Sequence, residues 1–374
     1  MSLRTTCLLT LLTVWVFSLL SFGGLRADDF AEDEMQWGQF PPIPDALGVA
    51  GPFVGVHRDS LIVAGGANFP RPVWETSKQW VDSVYALRAE GGTYQWRAVG
   101  KLPRQVAYGC SVSIPSGVLC IGGCDASQHF REVFLIQIDP KNDQLNIVGY
   151  PPLPHPCAYG AAARLGNTVY VVGGQSDARL ASATRTVWSL DLTQVDQGES
   201  FRWQRMSDFP AFNRSFHLLV ATHREASNSL FLFSGRREDS EGQVEFLRDS
   251  WQYLPEEDRW TQLATAPNCL MAGTGLSLVK DQIHLFGGAD GTLFHQTDSL
   301  KDRHPGFPKR YYRYQVSTDQ WIEAGSLPAN HVTTVAVEWN GDVVIPSGEV
   351  RPRVRTPVVL RGKIINQEQE IRQQ

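Results

Sequence analysis

One phrase is written six times along this chain. A short apolar run ends in a small residue followed by Gly, at Gly65-Gly66, Gly122-Gly123, Gly173-Gly174, Ser234-Gly235, Gly287-Gly288 and Ser347-Gly348. The intervals are 57, 51, 61, 53 and 60 residues. Each phrase leads to a second apolar run, usually followed by a Trp and then Leu-Pro, Phe-Pro or Ala-Pro. A unit of this size cannot bury its own hydrophobic face, so the copies must pack against one another.

The copy at 158–210 shows what the unit contains. Ala158–Arg164 reads as a first strand, and Gly166-Asn167 turns the chain. Thr168–Gly174 (TVYVVGG) is a second strand. Its β-branched and aromatic run has no polar break, as expected of a strand covered on both faces. Thr186–Leu192 reads as the third strand, and Phe201–Met206, with Trp203, as the fourth. The glycines suit positive φ and close backbone approach where strands converge. Four short strands, a double glycine and a late Trp are the signature of a kelch β-propeller blade. The expected fold is therefore all-β, a six-bladed kelch propeller. Six in-phase copies argue against a generic antiparallel protein whose glycine pairs are only turns.

The ring needs both chain ends. The last copy offers strands at His331–Glu338, Asp342–Gly348 and near Arg355–Arg361. It then runs into a polar tail at 365–374 with no Trp strand. The missing piece is Met35–Pro44 (MQWGQFPPIP), which has the form of the fourth-strand segments at Tyr94–Pro103 and Phe201–Pro210. The N-terminal strand is expected to complete the last blade and remove the exposed sheet edge. The propeller then occupies 35–364.

The first 27 residues differ from the rest. Arg4 precedes an apolar run, Cys7–Leu20, and Leu25-Arg26-Ala27 leads into Asp28-Asp29 and a short acidic leader at 28–34. This reads as a cleaved signal peptide, with a periplasmic or secreted product that keeps no stable membrane insertion. An uncleaved anchor is the alternative. Without residues 1–27 the balance is 32 basic to 39 acidic residues. No basic block points to nucleic acid. Five cysteines remain, Cys110, Cys120, Cys124, Cys157 and Cys269. Their odd number leaves at least one thiol unpaired, and either one local bridge or buried free thiols fit.

In a propeller the residues just after the inner glycines face the channel mouth. Here they are Ala67, Cys124, Gln175, Arg236, Ala289 and Glu349, with Asn68, Asp125, Arg237 and Asp290 next in line. After Glu349 come Arg351, Arg353 and Arg355. An acid and several guanidiniums at one mouth suit an anionic ligand and a moving proton. A solvated salt-bridge network is the bland alternative. The repeated Ala-Tyr-Gly at 107–109 and 158–160 places Tyr108 and Tyr159 at the mouth or in the core. His217 and His331 stand at first-strand starts. No other ligand falls into register with them for the copper site of a radical oxidase, and no P-loop, zinc spacing or calcium loop is present.

The stretch Ser347–Pro357, SGEVRPRVRTP, resembles the "GE..PG.RT" segment of the N-acetylneuraminate epimerases, the sialic acid mutarotases. Gly51–Phe69, GPFVGVHRDSLIVAGGANF, is similar to another segment of that family. In the family the second lies downstream of the first. Here the order is reversed, so the chain resembles a cyclically permuted branch, over about residues 35–364. The resemblance implies an isomerase that needs no cofactor or metal and interconverts the anomers of an acidic sugar. By the match, Glu349 takes the catalytic acid/base position and Arg355 that of its partner. Arg236, Arg237, Arg351, Asn68, Gln175, Tyr108, Tyr159 and His331 are the expected substrate contacts. Arg353 departs from the pattern, where the family often has Gly. A noncatalytic propeller that binds a glycan or protein partner is the other reading.

Overall fold

The computed structural model describes residues 34–139, 141–222 and 228–365. Met35–Ile364 form one compact unit. Six four-stranded antiparallel sheets follow one another along the chain, and the only α-helix among the described residues is the single turn Thr297–Leu300. The fold is a six-bladed β-propeller.

Blade one runs through Phe53–His57, Ser60–Ala64, Ser83–Glu90 and Thr93–Lys101. Blades two to five repeat that order from Cys110, Ala161, Leu218 and Thr274. Blade six combines Val337–Trp339, Asp342–Pro346 and Val359–Ile365 with Glu34–Phe40 as its outer strand. The N-terminal strand thus closes the last blade. The expected signal peptide and acidic leader lie outside the described residues, apart from Glu34, and so does the tail beyond Ile365.

The sequence phrase has a backbone cause. Its first residue sits near φ +60° in every blade, from 56° at Ser347 to 64° at Gly65. A short polar side chain tolerates that region, which is why Ser replaces Gly in blades four and six. The second residue lies between φ +88° and +109°, where only glycine is at ease, and it is Gly in all six. At Gly288 a Cβ would also stand 2.6 Å from the backbone of Leu270. Both serines use their hydroxyls: Ser347 Oγ donates to Val49 O (2.9 Å), and Ser234 Oγ donates to Leu247 O (2.8 Å).

The late Trp also has a cause. Trp96, Trp203 and Trp321 each donate their indole N–H to a carbonyl of the preceding blade, at Pro41, Pro151 and Ala264 (2.7, 2.8 and 3.0 Å). The Trp and the Pro-containing segment are therefore two halves of one inter-blade contact. Apolar clusters fill the spaces between blades, as where Phe40, Leu61, Trp339 and Val344 join blades six and one. A buried Arg214–Asp249 fork (2.7 and 2.8 Å) ties the entry of blade four to its third strand.

Three expectations need correction. The first strand of blade six begins at Val337, not His331, because Val332 is drawn to the axis by a bridge to Glu349. The third strand is Val359–Ile365; Arg355 belongs to a separate hairpin, Glu349–Arg351 with Val354–Arg355, which ends before Pro357. The fourth strand of blade three shrinks to Gln204–Arg205. All five expected cysteines are buried and unbridged.

At the axis the six blades meet in a closed backbone ring. Tyr108, Tyr159, Phe216, Ala272 and Thr333 each donate an N–H to the equivalent carbonyl of the preceding blade (2.8 Å), and Gly51 closes the circle on Thr333 O (2.6 Å). All six have φ between 55° and 65°. A left-handed conformation costs roughly 1–2 kcal/mol for an L-residue, and here the ring of hydrogen bonds offsets it.

Candidate functional site

Two cavities share that ring. One, of about 580 Å³, follows the six innermost strands away from it. The other, of about 740 Å³, opens on the side of the glycine pairs. There Ala67, Cys124, Gln175, Arg236, Ala289 and Glu349 pair by backbone bridges with Ala50, Ala107, Ala158, Ser215, Met271 and Val332. The post-glycine residues therefore form a second layer directly above the ring.

Glu349 and Arg355 meet in this second cavity. Glu349 Oε1 accepts from Arg355 Nη1 (2.9 Å) and from the backbone N–H of Arg353 (2.7 Å). Its Oε2 takes no hydrogen bond from the described residues. Arg355 is almost fully buried, and its other nitrogens donate to Ala67 O and Tyr108 Oη (both 3.3 Å). Burial opposes its charge, but Glu349 and Tyr108 outweigh that and raise its pKa above the ordinary value. The fork of Arg355 is therefore committed to the protein.

Arg236 is the most deeply buried of the cavity's cations that lack an acid partner among the described residues. It extends from the second strand of blade four, over Phe216 (4.5 Å) and near Phe294 (5.7 Å). Among the described residues no carboxylate pairs with it, and its Nε has no partner. Burial pulls its pKa down, while Tyr159 and Glu349 hold it up. Arginine stays charged all the same, so the site contains a desolvated positive charge without a counterion.

Tyr108, Tyr159 and Phe216 make an aromatic floor. Tyr159 stacks on Phe216 (4.5 Å) and leans on Tyr108 (4.9 Å). Burial pushes the Tyr159 phenol far above its usual range, and Cys124 Sγ donates to its oxygen (3.5 Å). Gln175 also lines the cavity, but its amide donates to Asp177 O and Arg179 O (3.3 and 3.1 Å), leaving Oε1 buried without a partner.

Four expected contacts lie elsewhere. Arg237 pairs with Glu245 and Arg351 with Asp302 on the rim. Asn68 donates to Gly48 O (3.2 Å). His331 is buried in blade six, where burial lowers its pKa to about 4. His217 is also buried, lowered by burial to about 3, with Nε2 at Val172 O (3.1 Å). Among the described residues no three His, Cys, Asp or Glu side chains gather as a metal site would need.

Several lining residues escaped the repeat. Phe69 and Lys78 come from the connection between the second and third strands of blade one, which also supplies Trp74 behind Arg353, and Phe294 and His304 come from that of blade five. Lys78 Nζ lies over Tyr108 (4.9 Å), and the Arg353 guanidinium lies over Phe69 (4.3 Å) and Trp74 (5.3 Å). The signal for these walls was length: both connections are longer than the one between Ile121 and Val133 in blade two.

A sequence profile of the N-acetylneuraminate epimerase family matches residues 23–147 and 150–303. Proteins named N-acetylneuraminate epimerase from Yersinia enterocolitica and Haemophilus influenzae are 29% and 26% identical, each match covering 58% of this chain. They cover 58% and 60% of those proteins, so the chain spans under two thirds of their length. One from Brucella suis is 39% identical over 31% of this chain and 33% of its own. The solved structure of YjhT shares the fold, with a TM-score of 0.63, 15% identity, and coverage of 87% of this chain and 99% of that one.

Proposed function

The chain belongs to the N-acetylneuraminate epimerase family, and from that premise we propose that it interconverts the α and β anomers of N-acetylneuraminate or a closely related acidic sugar. The observation that carries the reading is the pairing of Glu349 with Arg355 in one cavity with the uncompensated Arg236.

Such a sugar is a cyclic hemiketal with a carboxylate on its anomeric carbon. Opening the ring removes a proton from the anomeric hydroxyl and delivers one to the ring oxygen. Glu349 Oε2 takes the first proton, while Arg355 and the Arg353 N–H hold the carboxylate still through Oε1. Tyr108 Oη accepts from Arg355, so its own proton is free to go to the ring oxygen as the C–O bond breaks. Rotation of the keto form and the reverse transfers give the other anomer. Arg236 binds the sugar carboxylate, which supplies the missing counterion, and its fork suits two oxygens. Glu349 helps to hold the Arg236 charge across the cavity, as suits two groups that act on adjacent substituents of one carbon. The aromatic floor carries the apolar face of the ring.

Two further expectations remain part of the proposal. The protein acts after export, given the apolar segment Cys7–Leu20. The chain is a cyclic permutant, supported by the profile match ending at 303, before the Glu349 segment.

The test is proton NMR of freshly released α-N-acetylneuraminate. The protein should accelerate anomer exchange beyond the spontaneous rate, and Glu349→Gln should remove the acceleration. Binding with no acceleration would leave a binding module instead.

A further inference from the structure

We propose, resting on the acidic-sugar reading above, that the preferred substrate is a dianion. Besides its anomeric carboxylate it carries a second oxyanion, a sulfate or phosphate ester, at the end remote from the anomeric carbon, held by Lys78 and Arg353.

The first argument is charge. Lys78, Arg236, Arg353 and Arg355 line the cavity against only Glu349 and Asp290. Arg355 is matched by Glu349. Among the described residues, Lys78, Arg236 and Arg353 have no carboxylate within ion-pair distance. One sugar carboxylate satisfies one of these three. The chain as a whole carries a net charge of −5, so this positive pocket stands against the average field and concentrates anions.

The second argument is position. Blade four faces blade one across a six-bladed ring, so Arg236 and Lys78 approach the axis from opposite sides. Arg353 reaches over from blade six, stacks on Phe69 beside Lys78, and donates to Thr76 O (3.3 Å). Two cationic poles therefore flank one aromatic floor. The cavity of about 740 Å³ leaves room between them for a whole sugar.

The third argument is backbone strain. Arg353 has φ +67° at the tip of its hairpin, a conformation that favours glycine. Its N–H to Glu349 would survive in glycine unchanged. What the arginine adds is a guanidinium, and that guanidinium faces the cavity without an acid. Stacking on Phe69 and Trp74 steadies it, but a quadrupole does not neutralise a charge.

The experiment is calorimetric titration of the full chain with N-acetylneuraminate and with three derivatives at the terminal carbon of its side chain: sulfate, phosphate and acetate esters. The two anionic esters should bind at least about tenfold tighter than the parent, and the neutral acetate should not. The gain should shrink more than the parent affinity does as salt is raised. Lys78→Met and Arg353→Gly should each reduce the ratio of ester to parent affinity towards one, while Arg236→Met should weaken all ligands alike. A gain confined to sulfate or to phosphate would identify the group. An equal gain from the acetate, or no gain from either anion, overturns the proposal, even if anomer exchange of the parent is accelerated. Preference for the dianion without accelerated exchange overturns the epimerase reading and leaves this one standing. Binding of none of them overturns both.

Discussion

The two axial cavities have the same ring between them and opposite characters. The one along the innermost strands receives the same kind of contribution from each blade: small, β-branched and hydroxyl residues such as Val54, Val112, Ala163, Val220, Gly275 and Val335. The other begins with six equivalent positions but is finished by parts that only one blade possesses, the connections of blades one and five and the hairpin of blade six. Symmetry builds a wall and cannot by itself place one acid opposite one base. The proposed chemistry sits where the repeat is broken.

The severest way to break this comparison is to remove what both cavities share. A chain truncated through Phe40 loses the outer strand of blade six and bares the edge of Val359–Ile365. It should aggregate or lose its cooperative unfolding transition, and calorimetry that shows an unchanged transition would refute the closure. Next in size is Glu349→Gln. It keeps shape and hydrogen-bond acceptance at Oε1, and should slow catalysed exchange by about 10²-fold or more in the folded protein. The melting temperature should fall too, because the buried Arg355 loses its counterion, and unchanged exchange by the folded variant would mean Glu349 serves only the frame.

Acid should attack the frame before the site. His217, His284 and His331 are held neutral by burial, with pKa values lowered to about 3, 4 and 4. Unfolded histidine titrates near 6.5. Between those values the unfolded chain binds more protons, so the stability they contribute is complete above about pH 6.5 and is lost as pH falls towards 4. Melting temperatures measured from pH 7 to 4.5 should fall, and His331→Gln should make the fall shallower. Arg236→Met should weaken N-acetylneuraminate binding by about tenfold to a hundredfold, the value of a charge-assisted pair, with exchange at saturation less affected. The smallest effect belongs to the symmetric cavity. Arg164→Gln and Glu338→Gln lie there, and each should change exchange by less than about twofold. A large effect from either would mean the reaction uses that end.

The same contrast decides what was legible in the sequence. The glycine phrase dictated the blade count and the six mouth positions, because those depend on backbone conformation that only certain residues adopt, and the recurring Trp-to-Pro segment marked the closing strand. Glu349, Arg355, Tyr108 and Tyr159 came together from that phase and the family segment. What stayed hidden depends on partners far away along the chain. Nothing near Arg353 announces Thr76, 277 residues earlier. Nothing near Arg237 or Arg351 marks them as already taken by Glu245 and Asp302, while Arg236 is left free. His331 stands at the right register but lies beneath the mouth, in the body of the blade.

Glu34–Phe40, the first of the described strands to leave the ribosome, must wait for Val359–Ile365, some 320 residues later, before it has its sheet partner. The cavity straddles that same seam: Arg355 donates to Ala67 O, and Arg353 reaches Phe69 and Thr76. During refolding, the blades between can form from neighbouring segments, but pairing this distant in sequence comes slowly. The proposed anomer exchange should therefore be the last property to return, after secondary structure and most tryptophan burial. Its recovery time is a clock for the joining of the two ends.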